Sequence, residues 1–119
     1  MNKKMLFLSA LIITSMSAFA ADQTMQMGDH GSLSPASQEL VTDMMSMHDD
    51  MMAGVMSSDP DDAFAKGMIA HHQGAIKMSQ TQLKFGKDPE MRKLAEDIIK
   101  AQQPEIDQMQ KWLKTHQNQ

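Results

Sequence analysis

The stretch from Asp59 to Glu90, DPDDAFAKGMIAHHQGAIKMSQTQLKFGKDPE, decides the fold because it opens and closes on the same device. Asp59-Pro60 is a helix start: the carboxylate accepts from free backbone N–H groups, and proline at the first helical position forfeits no bond. Asp61 and Asp62 then lie at the positive end of the helix dipole. Phe64, Met68, Ala75, Ile76, Ser79 and Leu83 share one face at helical spacing, and Gly86 stops the run. Asp88-Pro89-Glu90 repeats the start.

Upstream, Ser34-Pro35 supplies a third start of the same kind. The spacing predicts helices over about residues 35–56, 60–85 and 89–116, and no segment alternates with period two as a strand would. The connections at 57–59 and 86–88 are short, which makes neighbours antiparallel. The expected fold is all-α: an up-down antiparallel bundle of three long helices within a domain spanning 34–119. Pro104 removes one backbone hydrogen bond inside the last helix and is expected to kink or split it.

The N-terminal flank reads differently. Asn2, Lys3 and Lys4 precede the largely apolar run Met5–Met16, and Ala18-Phe19-Ala20 fits a small-x-small cleavage site, so residues 1–20 are expected to be a signal peptide. The run is too short to span a membrane, and no second apolar stretch follows. Residues 21–33 are polar and glycine-containing and read as a flexible arm. Export through this leader implies a periplasmic protein with no membrane span after cleavage.

Without the leader 99 of the 119 residues remain, enough for one small core. Lys3 and Lys4 leave with it, so 9 basic face 15 acidic side chains, a net charge of −6. That balance argues against nucleic acid or an anionic membrane as partner and suits attraction of cations. Cysteine is absent, so soft-metal chemistry must use thioether and imidazole. Of the 15 methionines, 12 lie beyond residue 20. Such an excess has two explanations: a pliable apolar surface or a supply of soft ligands.

On the first helix Leu40, Val41, Met44, Met51 and Val55 share a face with His48 near its middle. On the second, His72 lies near the centre of the apolar face and His71 on its flank beside Met78. On the third, Gln102 and Glu105 fall on the face formed by Met91, Leu94, Ala95, Ile98, Ile99, Ile106, Met109, Trp112 and Leu113. Folding the helices about their loops brings His48, Met68, His72, Gln102 and Glu105 to similar depths. These polar groups are expected to meet as a buried network of His48, His72, Gln102 and Glu105, which either hydrogen-bonds internally or holds a cation.

Met44, His48, Met52 and Met56 are spaced by four, as are Met47 with Met51 and Met68 with His72. His71 and Met78 are two turns apart on one strip. Met25, Met27 and His30 form a further methionine-histidine group in the arm. Methionine at helical spacing is ordinarily core, but Met45, Met52 and Met56 lie away from the apolar face, where packing does not require them. Thioether sulfur suits Cu(I) or Ag(I), and imidazole adds affinity for Cu(II). The expected metal ligands are Met44, His48, Met51, Met52, Met68, His71, His72 and Met78, with Met25, Met27 and His30 as an arm site.

Catalysis is not expected. The chain has no Glu-x-x-His pair, no His-Glu-x-x-His and no Cys-x-x-Cys, and three helices could hardly wall a hydrolase pocket. His116, near an exposed end, is expected to be solvated and without a role.

Phe64-x-x-x-Met68-Ile69-x-His71-His72-x-x-Ala75-Ile76-x-Met78, followed by Leu94-Ala95-x-x-Ile98-Ile99-x-x-Gln102-x-x-Glu105-Ile106-x-x-Met109-x-x-Trp112-Leu113, resembles the bacterial "domain of unknown function 305" family. The resemblance covers roughly residues 60–114. It implies an exported, ferritin-like helical bundle, and copper, which some methionine- and histidine-rich periplasmic members bind in support of copper resistance. It places the family's histidine pair on His71 and His72, its methionines on Met68 and Met78, and its third-helix residues on Gln102, Glu105, Met109 and Trp112. Four helices, as ferritin-like implies, would need a split at Pro104 or pairing of two subunits into a dimer.

Together these observations lead to a periplasmic copper-binding protein for sequestration, trafficking or resistance, with a copper-handling protein as partner. The rival is a metal-independent helical interaction or stress-chaperone module with a methionine-rich surface.

Overall fold

A computed structural model describes residues 32–116 of the chain. The segments expected to be a signal peptide and an arm with Met25, Met27 and His30 therefore lie outside the described residues. Three α-helices follow in order: α1 Pro35–Gly54, α2 Pro60–Phe85 and α3 Pro89–His116. Among the described residues there is no strand, and no helix is long and apolar enough to cross a membrane.

Each helix starts as its sequence dictates. The Ser34 hydroxyl accepts from the Ser37 N–H at 3.1 Å. One Asp59 carboxylate oxygen accepts from both Asp61 and Asp62 N–H groups, at 2.8 and 2.9 Å, and Asp88 accepts from Met91 N–H at 2.9 Å. In all three cases proline follows the cap, which leaves fewer orphan donors to satisfy. α1 ends at Gly54, two residues before the expected Met56. Pro104 lies inside α3, which continues past it as one helix, and its exposed position leaves the unmatched carbonyl one turn back to solvent.

The two tight connections make α2 the central helix, antiparallel to a neighbour on either side. It packs along both α1 and α3, whereas α1 and α3 scarcely meet. The α1 side of α2 is a seam of small residues, Gly67, Ala70 and Gly74, all buried. A Cβ on Gly54 would stand 2.8 Å from the Lys66 carbonyl carbon, and one on Gly74 would collide with Met47. Glycine at both positions lets the two backbones approach closely.

Farther along the same side, the buried Thr81 hydroxyl donates to Asp43 at 2.8 Å, and Lys84 reaches Glu39 at 2.7 Å. The opposite side of α2 meets α3 through Ala65, His72 and Ser79, with Ala95 and Ile106 buried across from them. Arg92 fastens the turn by donating to the Leu83 and Gly86 carbonyls at 2.7 and 2.9 Å.

The result is a bundle laid out nearly as one layer. The two seams of α2 lie on opposite sides of the helix, so one face of the layer is polar, carrying Lys66, Gln73, Lys77 and Gln80. The other face, which includes Phe64, Met68, Ala75 and Met78, has no further helix over it among the described residues. Accordingly, among the described residues the buried hydrophobic ones are Ala65, Ala70, Ala95 and Ile106, and no large side chain is fully enclosed.

Candidate functional site

The adjacent histidines at the centre of α2 part company because consecutive helical residues diverge by about 100°. Their rings touch edge to face, 5.8 Å between centroids. His72 turns toward α3, is 7% exposed, and its Nε2 lies 2.5 Å from Glu105 Oε2. The Glu105 carboxylate is itself largely open to solvent. On the inner side, His72 Nδ1 and Gln102 Oε1 are buried with no hydrogen-bond partner. His71 is exposed on the uncovered face.

The expected convergence of His48 with His72, Gln102 and Glu105 needs correction. His48 has a 72% exposed side chain, and its polar partner is the neighbouring Asp49 at 3.4 Å. The physical reason is the layer: α1 does not close onto α3, so its apolar face opens outward. The buried pair is His72–Glu105, with Gln102 half-buried nearby.

The α1–α2 contacts fix the register of the two helices. Met47 lies against Gly74, Val55 against Gly67 and Gly54 against Lys66. Counting back from these pairs at about 1.5 Å per residue puts Met44 level with Met78, Met52 level with Met68, and His48 within about 3 Å of the level of His71. On α1 the sequence Leu40, Met44, His48, Met51, Val55 follows one face, and on α2 the sequence Phe64, Met68, His71, Ala75, Met78, Gln82 follows another.

Both belong to the uncovered side of the layer, because Leu40 lines the same groove as Ala75, Met78 and Gln82, whereas Glu39 turns the other way to Lys84. Two methionine-histidine-methionine ladders therefore stand side by side. Their exposure differs by position. Met44 and Met52 are about half exposed, at 51% and 52%. Met51, Met68 and Met78 are half-buried.

Beyond the ladders the groove continues onto α3. It has a volume of about 390 Å³ and is predominantly apolar, lined there by Met91, Leu94, Ala95, Ile98 and Gln102. Leu94 and Met91 stand 49% and 44% exposed along it. The sequence pattern placed these residues in a core; their exposure follows from the missing contact between α1 and α3. Met47, seated on Gly74, is the methionine whose packing role the pattern did not separate from its neighbours'.

His116 stacks on Trp112 with centroids 4.2 Å apart, and its Nδ1 lies 2.8 Å from the Trp112 carbonyl oxygen. Asp59, Asp61 and Asp62 line a small hollow with these rings. Among the described residues no three histidine or carboxylate side chains are grouped to hold an ion. Any ion on the uncovered face would draw on thioether sulfur, which the ladders supply next to imidazole; that donor chemistry fits a soft monovalent cation and not a hard divalent one.

Residues 12–118 match the profile of a family described as "Domain of unknown function (DUF305)". The chain belongs to the DUF305 family. It is also 47% identical, over 49 residues, to an uncharacterized protein of Acanthamoeba polyphaga mimivirus. That stretch covers 41% of this chain and 32% of the viral protein, so the likeness takes in about a third of the relative's length. The DUF305 match takes in α1 as well as the α2–α3 region, and so includes both methionine-histidine ladders.

Proposed function

We propose that this DUF305 protein binds Cu(I), and Ag(I) in its place, on the uncovered face of the α1–α2 pair, as cargo to be sequestered or handed on. The observation that carries the reading is the placement of Met44, His48 and Met51 beside Met78, His71 and Met68 on the uncovered face of neighbouring helices. Six soft or borderline donors stand on one face, with the Asp49 carboxylate beside His48. Met52 is level with Met68 but turned away from α2. His72 is set apart by its bond to Glu105 and serves to hold α2 on α3.

Copper fits this donor set: thioethers stabilise Cu(I), and the two exposed imidazoles add affinity for Cu(II). The reading is one of binding and not of catalysis. The leader-like residues 1–20 support a periplasmic location, where thioether ligands persist under oxidising conditions that convert thiols to disulfides. The arm residues Met25, Met27 and His30 would pass the ion to or from a copper-handling partner.

Anaerobic titration with Cu(I) against a competing chromophoric chelator tests the proposal, together with a His48→Ala, His71→Ala double variant. The expected result is binding by the parent chain and at least a tenfold loss in the variant. No competition by the parent chain removes the reading.

The second reading, a metal-independent interaction module, is favoured by one observation: Met56 and Phe64 are 77% and 65% exposed at the α1–α2 end. Large apolar side chains placed so openly mark contact surfaces. That reading predicts suppression of client aggregation without metal and indifference to the two histidines.

A further inference from the structure

The uncovered face asks what lies over it. We infer that a second copy of this chain does, related by a two-fold axis, and that the soft-ion site is closed between the two copies. The metal part of this inference rests on the proposed function; the interface part does not.

Three features on the molecule choose a second copy. The first is energetic: α1, α2 and α3 enclose no large side chain completely, and the buried hydrophobic residues are three alanines and one isoleucine. A layer so thin gains little from burial against the ordering entropy of the chain. Covering Leu40, Phe64, Met68, Met78, Leu94 and Ile98 would give it the core it lacks.

The second is area. Helices of 26 and 28 residues are about 40 Å long, and three axes about 9 Å apart make a face roughly 20–25 Å wide. That is roughly 800–1,000 Å² per partner, the size of a stable protein interface. The third is charge. The centre of the face carries methionine, leucine, isoleucine, alanine and histidine, so two acidic chains can meet there without repulsion. A two-fold axis lying between the copies, over the middle of α2, brings the two apolar centres together.

The same axis passes close to His71, which is near the midpoint of Pro60–Phe85. A single copy can approach an ion only from below, and Met78 is about 10 Å along the helix from His71. The second copy brings an identical set from above, so that imidazole and thioether close around the ion and exclude water.

Sedimentation velocity on the purified protein at micromolar concentrations, with and without Ag(I), reads the assembly; equilibrium titration with Ag(I) reads the site. The variant is Leu94→Glu, which puts a charge on the face in α3, away from the metal ligands, at a side chain already half exposed. Lys77→Glu on the polar face is the control, and far-ultraviolet circular dichroism checks that both variants keep their helices. The inference predicts a dimer for the parent chain and for the Lys77 variant. It predicts a monomer for Leu94→Glu, with Ag(I) affinity lowered at least tenfold.

A parent chain that stays monomeric with Ag(I) overturns the inference; that is the result expected if residues 1–31 of the same chain, or another protein, occupy the face. A monomeric Leu94→Glu that binds Ag(I) as tightly as the parent overturns the shared site and leaves the proposed function standing. A parent dimer that binds no Ag(I) overturns the proposed function and the shared site with it, while dissociation by Leu94→Glu still supports the interface.

Discussion

At Gly74 a hydrogen stands where any other residue would drive a carbon into the Met47 side chain. Met47 can yield only by leaving the α1–α2 seam, so Gly74→Ala should lower stability by about 1–3 kcal/mol in urea denaturation, despite alanine's better helix propensity. A gain in stability would show that the seam is looser than described. Glu105 offers a second residue-scale test. Glu105→Ala leaves both ring nitrogens of the buried His72 without partners, and the expected loss is about 1–3 kcal/mol by the same measurement. At this scale the sequence was legible where a residue's chemistry allows one answer: a histidine on an apolar face had to find a partner, and Glu105 is that partner. It was not legible for His48, because which histidine of three turns inward depends on how the helices are laid out and not on spacing within one of them.

Helix boundaries were the most readable feature, because a cap followed by proline is a local signal that tertiary packing need not override. Asp59 carries two backbone hydrogen bonds at the start of α2, and Asp59→Ala should cost about 1 kcal/mol, measured by chemical denaturation. The neighbouring Asp62 carboxyl is held below its ordinary value, first by the hydrogen bond from Lys66 and then by that from Ser57. A carboxylate whose folded pKa is depressed adds stability above its unfolded pKa and loses it as pH falls through the folded one. The start of α2 should therefore weaken in acid, below about pH 4, and Lys66→Met should flatten that dependence in melts recorded between pH 2 and pH 6. An unchanged acid limb in the Lys66 variant would remove this account. Pro104 lies inside α3, and the helix runs on past the missing hydrogen bond because that side faces solvent.

For the whole molecule, the all-α antiparallel arrangement followed from three helices and two short loops. The same loops fit a closed bundle or an open layer equally well. What separates them is the glycine seam, which draws α1 onto one side of α2 while His72 and Ala65 draw α3 onto the other. Spacing within Met44–Met52 or Met68–Met78 does not register that opposition, so the methionines and His48 that read as inward-facing stand on the uncovered face instead. The layer also changes the meaning of the histidine pair: His72 fastens α2 to α3, and His71 is left exposed on the uncovered face. Membership of the DUF305 family gives the chain its kin, and the exposed ladders give the account its central claim, soft-metal binding by thioether and imidazole from two neighbouring helices. Anaerobic Cu(I) competition on the parent chain beside a Met44→Leu, Met68→Leu, Met78→Leu triple variant tests it most directly, since leucine keeps apolar volume and deletes sulfur. The account predicts that the parent captures Cu(I) and that the triple variant, still helical and equally stable, loses at least tenfold in affinity; equal capture by both proteins would contradict it.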